Sequence, residues 1–540
     1  MQPIDSKINT ASDTFRDNRD GMLALIAELR ALEARTREIS AKAKPLFDKR
    51  GQILPRERVA RLLDAGAPFL ELSTLAGYCV DDADPSKSIP GGGMIAGIGY
   101  VSGTRCMVVA TDSGIDAGAI QRMGRDKALR AQALAMENKL PFIHLVESAG
   151  ANLLKYRVEG FISGGALFYN LAKLSAAGIP VITVVHGSST AGGAYMPGLS
   201  DYVVVVRGRA KAFLAGPPLL KAATGEIATD EELGGAEMHA TVSGLAEYLA
   251  EDDTDGVRYA RDIVASLGWQ TAATAAGARK VDPPKYDPDE LAGVVPLDYR
   301  KAFDMREAIA RVVDGSRFFD FQPGYGPATV CGHAAIEGYP IGIITNNGPL
   351  DPAGSVKATH FIQACCQSGT PIIYMQNTTG YIVGKASEAG GMIKHGSKMI
   401  QAVSNANVPQ ITLMCGASFG AGNYGMCGQA FNPRFVFAWP NAKTAVMGGE
   451  QAAMTMAIVA EATAKRRGQP VDAAGLEALR AQIVENFDRQ SGAFVTSGLM
   501  LDDGVIDPRD TRRVLAFTLA MCREAEARVL RPVQFGVARP

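Results

Sequence analysis

The chain says similar things twice, and this long-period repeat constrains its fold more than any other feature. LPFIHLVESAGA begins at Leu140, and TPIIYMQNTTGY begins at Thr370, 230 positions later. IPVITVVHGSSTAGGA from Ile179 matches VPQITLMCGASFGAGN from Val408 at an offset of 229. VSGTRCMVVATD from Val101 and IEGYPIGIITNN from Ile336 form a third pair, offset by 235. Matched segments in one order and at nearly one spacing describe two homologous domains, since the period is far too long for a solenoid. Within each segment an apolar run ends in small residues and precedes a helix-like stretch. That is strand–turn–helix grammar with mostly parallel pairing. The expectation is an α/β protein with domains at 1–285 and 286–540, joined through the Pro-, Ala- and charge-rich WQTAATAAGARKVDPPKYDPDE (269–290). Met22, Leu23, Leu25, Ile26, Leu29, Leu32 and Ile39 recur at helical spacing between Asn18 and Lys44, which predicts an added N-terminal helical arm.

Composition narrows the function classes. At 540 residues the chain is too long for one ordinary core. Lys plus Arg total 55 and Asp plus Glu 56, so no net charge points to nucleic acid or an anionic membrane. Eight Cys without a CxxC spacing argue against a zinc ribbon and a disulfide framework, and suit reduced thiols in a cytoplasmic setting. Cys365 and Cys366 are expected to pack in a buried helix. The N-terminus lacks the apolar or Arg-rich character of a targeting segment, and no run of 18 apolar residues is present.

The repeat places two loops in equivalent positions. GASFGAGNYGMCGQAF (416–431) carries five Gly and no charge after an apolar run, and SSTAGGAYMPG (188–198) is its counterpart. Gly192 and Gly193 stand opposite Ala421 and Gly422. Without side chains a ligand approaches the main chain closely, and successive N–H groups there stabilise a developing oxyanion. Two such loops suggest two oxyanions. The glycines also permit tight helix–strand packing, which is the plainer use of them.

Side-chain catalysts are scarce. The six His are scattered at 144, 186, 239, 333, 360 and 395, none in a metal-pair spacing, and no metal site is expected. His144 and His186 lie in strand runs, where a satisfied core histidine is expected. Glu147 at a strand end is expected to orient the following loop. Ser188 and Ser189 are not in a nucleophile elbow. GYIVGKAS (380–387) lacks P-loop spacing. Gly420 to Gly425 matches G-x-G-x-x-G, but no acidic residue follows at the distance a dinucleotide fold needs. A nucleotide-dependent oxidoreductase rests on that match alone. The residues favour a reaction whose proton acceptor belongs to substrate or cofactor.

GASFGAGNYGMCGQAFNPRFVFAWPNAKTAVMGGEQAA (416–453) resembles the carboxyltransferase β subunits of biotin-dependent acyl-CoA carboxylases, and is most similar to the methylcrotonyl-CoA and geranyl-CoA branch. LPRERVARLLDAGAPFLEL (54–72), STAGGAYMPGLSD (189–201), FLAGPPLLKAATGE (213–226), ELGGAEMHATVSG (232–244) and KATHFIQACCQSGTPIIYMQNTTGYIVG (357–384) agree. The resemblance implies tandem crotonase-like (ClpP-like) domains, the first binding acyl-CoA and the second carboxybiotin. It implies that Gly192 and Gly193, flanked by Ala191 and Ala194, hold the thioester oxyanion, and that Ala421 and Gly422 hold the biotin ureido oxygen. Thr379, Gly380, Phe419 and Gly420 fall on the biotin side. Lys127, Arg130, Arg207 and Lys221 are candidates for the phosphates of coenzyme A. The chain shows no A-M-K-M biotin-carrier signature, so biotin is expected on a partner α subunit with biotin carboxylase and carrier domains. The resemblance further implies a β hexamer within an α6β6 complex, each site shared between protomers. Biotin-dependent decarboxylase subunits run related chemistry in reverse. Where methylcrotonyl-type relatives carry Phe-Gly after a longer insertion, this chain reads KYRVEGFISGG (155–165), with Gly164 in the place of that Phe. DSGIDAGAIQRMGRDK (112–127) also departs from the family's glycine-rich loop. Loss of a phenyl group implies a larger acyl group.

Overall fold

The computed structural model describes residues 2–150, 157–269, 280–468, 470 and 472–538. Two compact units emerge, and neither is contiguous. The N-terminal unit holds Ala31–Ala276, Gly498–Met500 and Met521–Pro540. The C-terminal unit holds Met1–Arg30, Gly277–Ser497 and Leu501–Ala520. Each end of the chain is thus built into the half remote from it in sequence, which contiguous boundaries at 285/286 do not capture. Residues 270–279, ten of the 22 in the expected linker, lie outside the described residues.

The N-terminal unit contains strands β1 (Leu70–Glu71), β2 (Met94–Val101), β3 (Thr104–Thr111), β4 (Phe142–Ser148), β5 (Val181–Thr190), β6 (Tyr202–Val206), β7 (Lys211–Phe213) and β8 (Tyr248–Ala250). They pair in the order β1-β2-β3-β4-β5-β6-β8, with β7 beside β5. The C-terminal unit has β9 (Phe319–Asp320), β10 (Thr329–Ile336), β11 (Tyr339–Asn346), β12 (Ile372–Thr378), β13 (Gln410–Phe419), β14 (Phe435–Ala438) and β15 (Lys443–Ala445). Their order is β9-β10-β11-β12-β13-β14, with β15 beside β13. In both sheets a leading antiparallel hairpin gives way to parallel strands. Parallel strands are covered on both faces, so they read as continuous apolar runs. Every residue of β3, β4 and β13 is accordingly buried.

The repeat holds at the level of register. Phe142 pairs with Val181 and Ile372 with Gln410, the same pairs displaced by the sequence offsets. Both ladders then slip at one place. The N-terminal unit resumes at Ser148–Ser189 and the C-terminal unit at Thr378–Ser418. A bulge conserved between the halves bends the strand ends just before each glycine loop.

The arm is one helix, Asp13–Ala41. Met22 and Ile26 pack with Ala292 and, half-buried, Leu297 in the C-terminal unit. Its last turns belong to the N-terminal unit, where Thr36 Oγ1 donates to the Pro90 carbonyl at 3.1 Å and Ser40 Oγ to Asp112 Oδ1 at 2.5 Å. The C-terminal tail returns to the N-terminal unit through a double hydrogen bond from Arg105 to Glu524 at 2.9 and 3.0 Å. Val533 N–H adds a bond to the Ala176 carbonyl at 2.9 Å. Cys365 is buried in the helix Pro352–Ser368 and Cys366 is half-buried beside it. Among the described residues all eight Cys are free thiols, and no helix is long and apolar enough to cross a membrane.

Candidate active site

In the N-terminal unit β5 ends at Thr190 and the chain turns through a single helical turn, Ala191–Ala194. Ala191 takes φ +54°, which swings the following amides off the strand direction. Gly193 is buried and Gly192 half-buried. Ser189 Oγ donates to the Gly193 carbonyl at 2.8 Å, so that carbonyl is committed inward. The N–H groups that open a helical turn have no acceptor within it. A Cβ on Gly193 would stand 3.2 Å from Ser189 Oγ, whereas one on Gly192 would touch the Phe168 ring at an ordinary 3.5 Å. The neighbouring strand end is tied down as well. Ser148 Oγ donates to the Gly118 carbonyl at 2.8 Å, and Gly150 N–H to Ser148 Oγ at 3.1 Å.

In the C-terminal unit β13 ends at Phe419 and enters the short helix Gly420–Gly425. Gly420 takes φ +55°. Asn423 Nδ2 donates to Ser418 Oγ at 2.7 Å, Ser418 Oγ donates to Gln376 Oε1, and Gln376 Nε2 donates to the Met426 carbonyl at 2.7 Å. This chain of buried side-chain bonds clamps the turn from both ends. Gly422 lies against the 378–380 segment: a Cβ there would fall 2.9 Å from Gly380 Cα and 3.0 Å from Thr378 Cγ2. Gly380 itself takes φ +116°. Thr379 is exposed, Gly380 buried, and Ala421 exposed. The Gly380 and Gly422 main chains meet with only the Thr378 methyl beside them, a narrow wall that a flat ring can face, with N–H groups at the start of the helix to bond its carbonyl oxygen. The residues present therefore fit the biotin ureido ring. Phe419 contributes its main chain only. Its ring is buried against Tyr299, edge to face at 5.0 Å.

The cationic candidates divide. Lys127 is a correction, because it is buried, with Nζ donating to the Met94 carbonyl at 2.8 Å and the Gly91 carbonyl at 3.4 Å. Burial pulls its pKa down to about 8, against the opposing charge of Glu71. Its charge serves the fold around the glycines 91–93. Arg207 is exposed and already paired with Glu237 at 2.9 Å and Glu251 at 3.1 Å. Arg130 is half-buried on the helix Arg122–Asn138, and Lys221 is exposed on the helix Pro217–Thr224. Gly164 ends the helix Val158–Gly164, half-buried, where a Cβ would lie 3.8 Å from Arg125 Cδ. The first two residues of 155–165 lie outside the described residues.

A buried polar cluster that the sequence did not reveal underlies the first loop. Arg58 bridges Glu147 at 2.7 Å and Asp253 at 3.1 Å. Gln52 Nε2 donates to Glu147 Oε1 at 3.1 Å and to the His186 carbonyl at 2.9 Å, and Ser113 Oγ donates to Glu147 Oε2 at 2.9 Å. His186 Nδ1 meets Asp253 Oδ1 at 2.9 Å. Burial opposes the Asp253 carboxylate, but His186 and Arg58 outweigh it and hold its pKa below the usual range. Burial and the Arg58 charge keep His186 neutral. Glu147 is expected to orient the loop that follows it, but its carboxylate is instead taken up by Gln52, Arg58 and Ser113, which fix the end of β4. A Cβ on Gly187 would reach within 2.6 Å of Glu147 Oε1, which fixes β5 against it. Arg58 stood inside the quoted motif 54–72, but only the tertiary fold brings it to Glu147. The expectation that both strand histidines are satisfied is also corrected. Among the described residues Nε2 of His186 and Nε2 of His144 have no hydrogen-bond partner.

Comparison with known proteins identifies the family. The carboxyl transferase domain family matches residues 48–534. A probable biotin-dependent acyl-coenzyme A carboxylase beta2 subunit of Mycobacterium tuberculosis is 52% identical over 491 residues, 91% of each chain. The biotin-dependent 3-methylcrotonyl-coenzyme A carboxylase beta1 subunit of that organism is 44% identical over 528 residues, covering 95% of this chain and 96% of that protein. The crystal structure of the P. aeruginosa geranyl-CoA carboxylase beta subunit superposes with a TM-score of 0.93 at 54% identity, covering 100% of both chains. The chain belongs to the carboxyltransferase β subunits of the biotin-dependent acyl-CoA carboxylases, in the branch that holds the methylcrotonyl-CoA and geranyl-CoA enzymes.

Proposed function

We propose that the N-terminal loop holds an acyl-CoA thioester and the C-terminal loop holds carboxybiotin, delivered by a biotinylated α subunit. The single observation carrying this reading is the duplicated turn. Equivalent bulges, equivalent positive-φ residues and serines at matching positions, Ser189 and Ser418, each hydrogen-bonded to its own turn though to different partners, aim two short runs of amides. When bound, carboxybiotin supplies CO₂ and a ring nitrogen able to take the substrate proton. The N–H groups of Ala421 and Gly422 bond the ureido oxygen and stabilise the charge it gains. The N–H groups of Gly192 and Gly193 bond the thioester oxygen and stabilise the enolate, or the dienolate of an enoyl thioester, that attacks CO₂. Each donor of this kind contributes roughly 10²–10³ in rate. The chain's own part is electrostatic, which accounts for the absence of a side-chain base among its motifs.

The acyl group is a branched enoyl chain, with a preference for one larger than methylcrotonyl. Gly164 beside Arg125 supports this, since no phenyl ring closes that place. The active assembly is a β hexamer in an α6β6 complex, with each site formed from two protomers. Exposed apolar side chains support burial by other chains: Phe161 and Ile162 are 67% and 70% exposed, and Met454 and Ile458 are both 60% exposed. Free thiols suit a cytoplasmic location. The test is capture of the native complex followed by bicarbonate fixation on methylcrotonyl-, geranyl-, propionyl- and long-chain acyl-CoA. A biotin carboxylase partner and ATP-dependent fixation on a branched enoyl-CoA are expected. Copurification with a membrane sodium pump instead would move the chain to the decarboxylases.

A further inference from the structure

Behind the Gly192–Gly193 turn a slot runs into the N-terminal unit. One wall is a single face of β4: Phe142, His144, Val146 and Ser148 all line it, at the alternate positions that share a face. The opposite wall is one stripe of the helix Arg122–Asn138, with Gly124, Ala128 and Gln132 four residues apart. Gly193 is at the mouth, because Ser189, which holds the Gly193 carbonyl, pairs with Ser148. Ile120 N–H donates to the Gly150 carbonyl at 3.0 Å, so the helix begins beside the same end of β4.

Strand and helix run in opposite directions from that mouth, and their rises give matching depths. From Ser148 back to His144 is about 13 Å of strand. From Gly124 on to Gln132 is about 12 Å of helix. Gln132 and His144 therefore meet at one level, a depth that an extended chain of about eight to ten carbons reaches.

Val109, Phe142, Leu167 and Met196 line the slot around that level, and the neighbouring Thr183 hydroxyl is already bonded to Ser200 at 2.7 Å. Gln132 and His144 are both buried, at 3% and 5% exposure. Among the described residues neither Gln132 Oε1 nor His144 Nε2 has a hydrogen-bond partner. The Gln132 amide is not free to turn over. Its Nε2 donates to the Leu167 carbonyl at 3.0 Å, which leaves the acceptor oxygen for the slot. Burial pulls the His144 pKa down to about 4, so the ring is neutral. A hydrocarbon chain inserted here would strand two buried polar atoms. A ligand hydroxyl donates its one proton to Gln132 Oε1 and accepts from His144 in the tautomer that carries its proton on Nε2.

We propose that the slot takes a branched enoyl-CoA whose acyl chain ends in a hydroxyl group, and that Gln132 and His144 are the residues that select it. The inference rests on the acyl-CoA reading of this loop. The enclosed space of about 30 Å³ accommodates a hydroxyl but not a whole chain. Chain entry therefore displaces the Leu167 and Met196 side chains that also line the slot.

The test compares geranyl-CoA with its terminally hydroxylated analogue, by calorimetric binding to the β subunit and by kcat/KM in the reconstituted complex. The hydroxylated ester is expected to be favoured by about 10- to 100-fold. In Gln132→Leu and in His144→Phe the preference is expected to fall to near unity or reverse. Because the ratio is taken within each variant, partial loss of folded protein cancels. Equal or better handling of geranyl-CoA by the unaltered protein overturns the inference, as does an unchanged ratio in both variants. Failure of every CoA ester to bind overturns the acyl-CoA reading itself, and the inference with it.

Discussion

Ala191 and Gly420 adopt the same backbone conformation, with φ +54° and +55°, at the same place in the two halves of the chain. Each is the residue at which a buried strand becomes a helical turn, and each precedes a pair of amides with little or no side chain. An L-residue with a Cβ is disfavoured in the left-handed region by roughly 1–2 kcal/mol, and glycine is not. One half therefore carries backbone strain that the other avoids. Ala191→Gly is expected to leave the unfolding free energy unchanged or raise it by up to about 1 kcal/mol, the relief being partly offset by the greater freedom of an unfolded glycine. Gly420→Ala acquires the strain and sets a Cβ 3.1 Å from the Val446 carbonyl, so it lowers stability by about 1–2 kcal/mol. Denaturant unfolding of both variants measures the two signs.

Gly192 and Gly422 separate steric from electrostatic roles. A methyl group at Gly192 meets only the Phe168 ring at 3.5 Å, so Gly192→Ala retains its fold, and any lost rate reflects crowding at the thioester oxygen. At Gly422 the methyl group collides with the Gly380 main chain at 2.9 Å, and the turn itself must shift. Gly422→Ala is expected to reduce kcat by roughly 10²–10³ while acyl-CoA affinity stays within a factor of about two. Steady-state kinetics with calorimetric binding of the CoA ester checks both. A parallel loss of affinity would show that the second loop serves the acyl substrate instead.

Arg58 is the pivot of the cluster beneath the first loop. Replacing it with Met leaves Glu147 and Asp253 buried without their shared cation. The expected loss is about 3–5 kcal/mol, the penalty for an uncompensated buried charge. Thermal unfolding of Arg58→Met reads this directly. A melting temperature within one or two degrees of the parent would mean that the cluster rearranges without cost.

His144 gives the fold a pH dependence with a definite sign. An unfolded histidine titrates near its ordinary 6.5, whereas the buried ring titrates at about 4. Between those values the unfolded state binds the extra proton. Stability from this residue is thus complete above about pH 6.5 and declines as the pH falls towards 4, by a total of about 3 kcal/mol. His144→Phe removes the slope. From pH 7 to pH 4.5 the denaturation midpoint of the parent is expected to fall relative to that of the variant.

Gly164 tests the size of the acyl site. Gly164→Phe introduces a ring beside Arg125, which lines the slot with Leu167. The expected result is a shift in the kcat/KM ratio of at least about tenfold from geranyl- towards methylcrotonyl-CoA. Unchanged discrimination would mean that the 155–165 segment fills the space by other means.

The duplication, the mostly parallel pairing, the arm helix and both glycine loops were legible in the chain alone. They depend on local patterns: apolar runs that a doubly covered parallel strand must have, small residues where main chain is exposed to a ligand, and 3.6-residue periodicity from Met22 to Ile39. Charged side chains were legible only as types. Lys127 and Arg207 read as cations for phosphate, but the first is buried on carbonyls and the second is neutralised by two carboxylates, because a charge takes its role from neighbours distant in sequence. Arg58 with Glu147 and Asp253, Gln376 with Ser418 and Asn423, and the meeting of Gln132 with His144 arise from strand crossover and helix direction. Sequence determined where the main chain turns, since backbone geometry is set by a few adjacent residues; only tertiary structure decided which buried polar atoms found partners, since that depends on what the rest of the chain places within three ångströms of them.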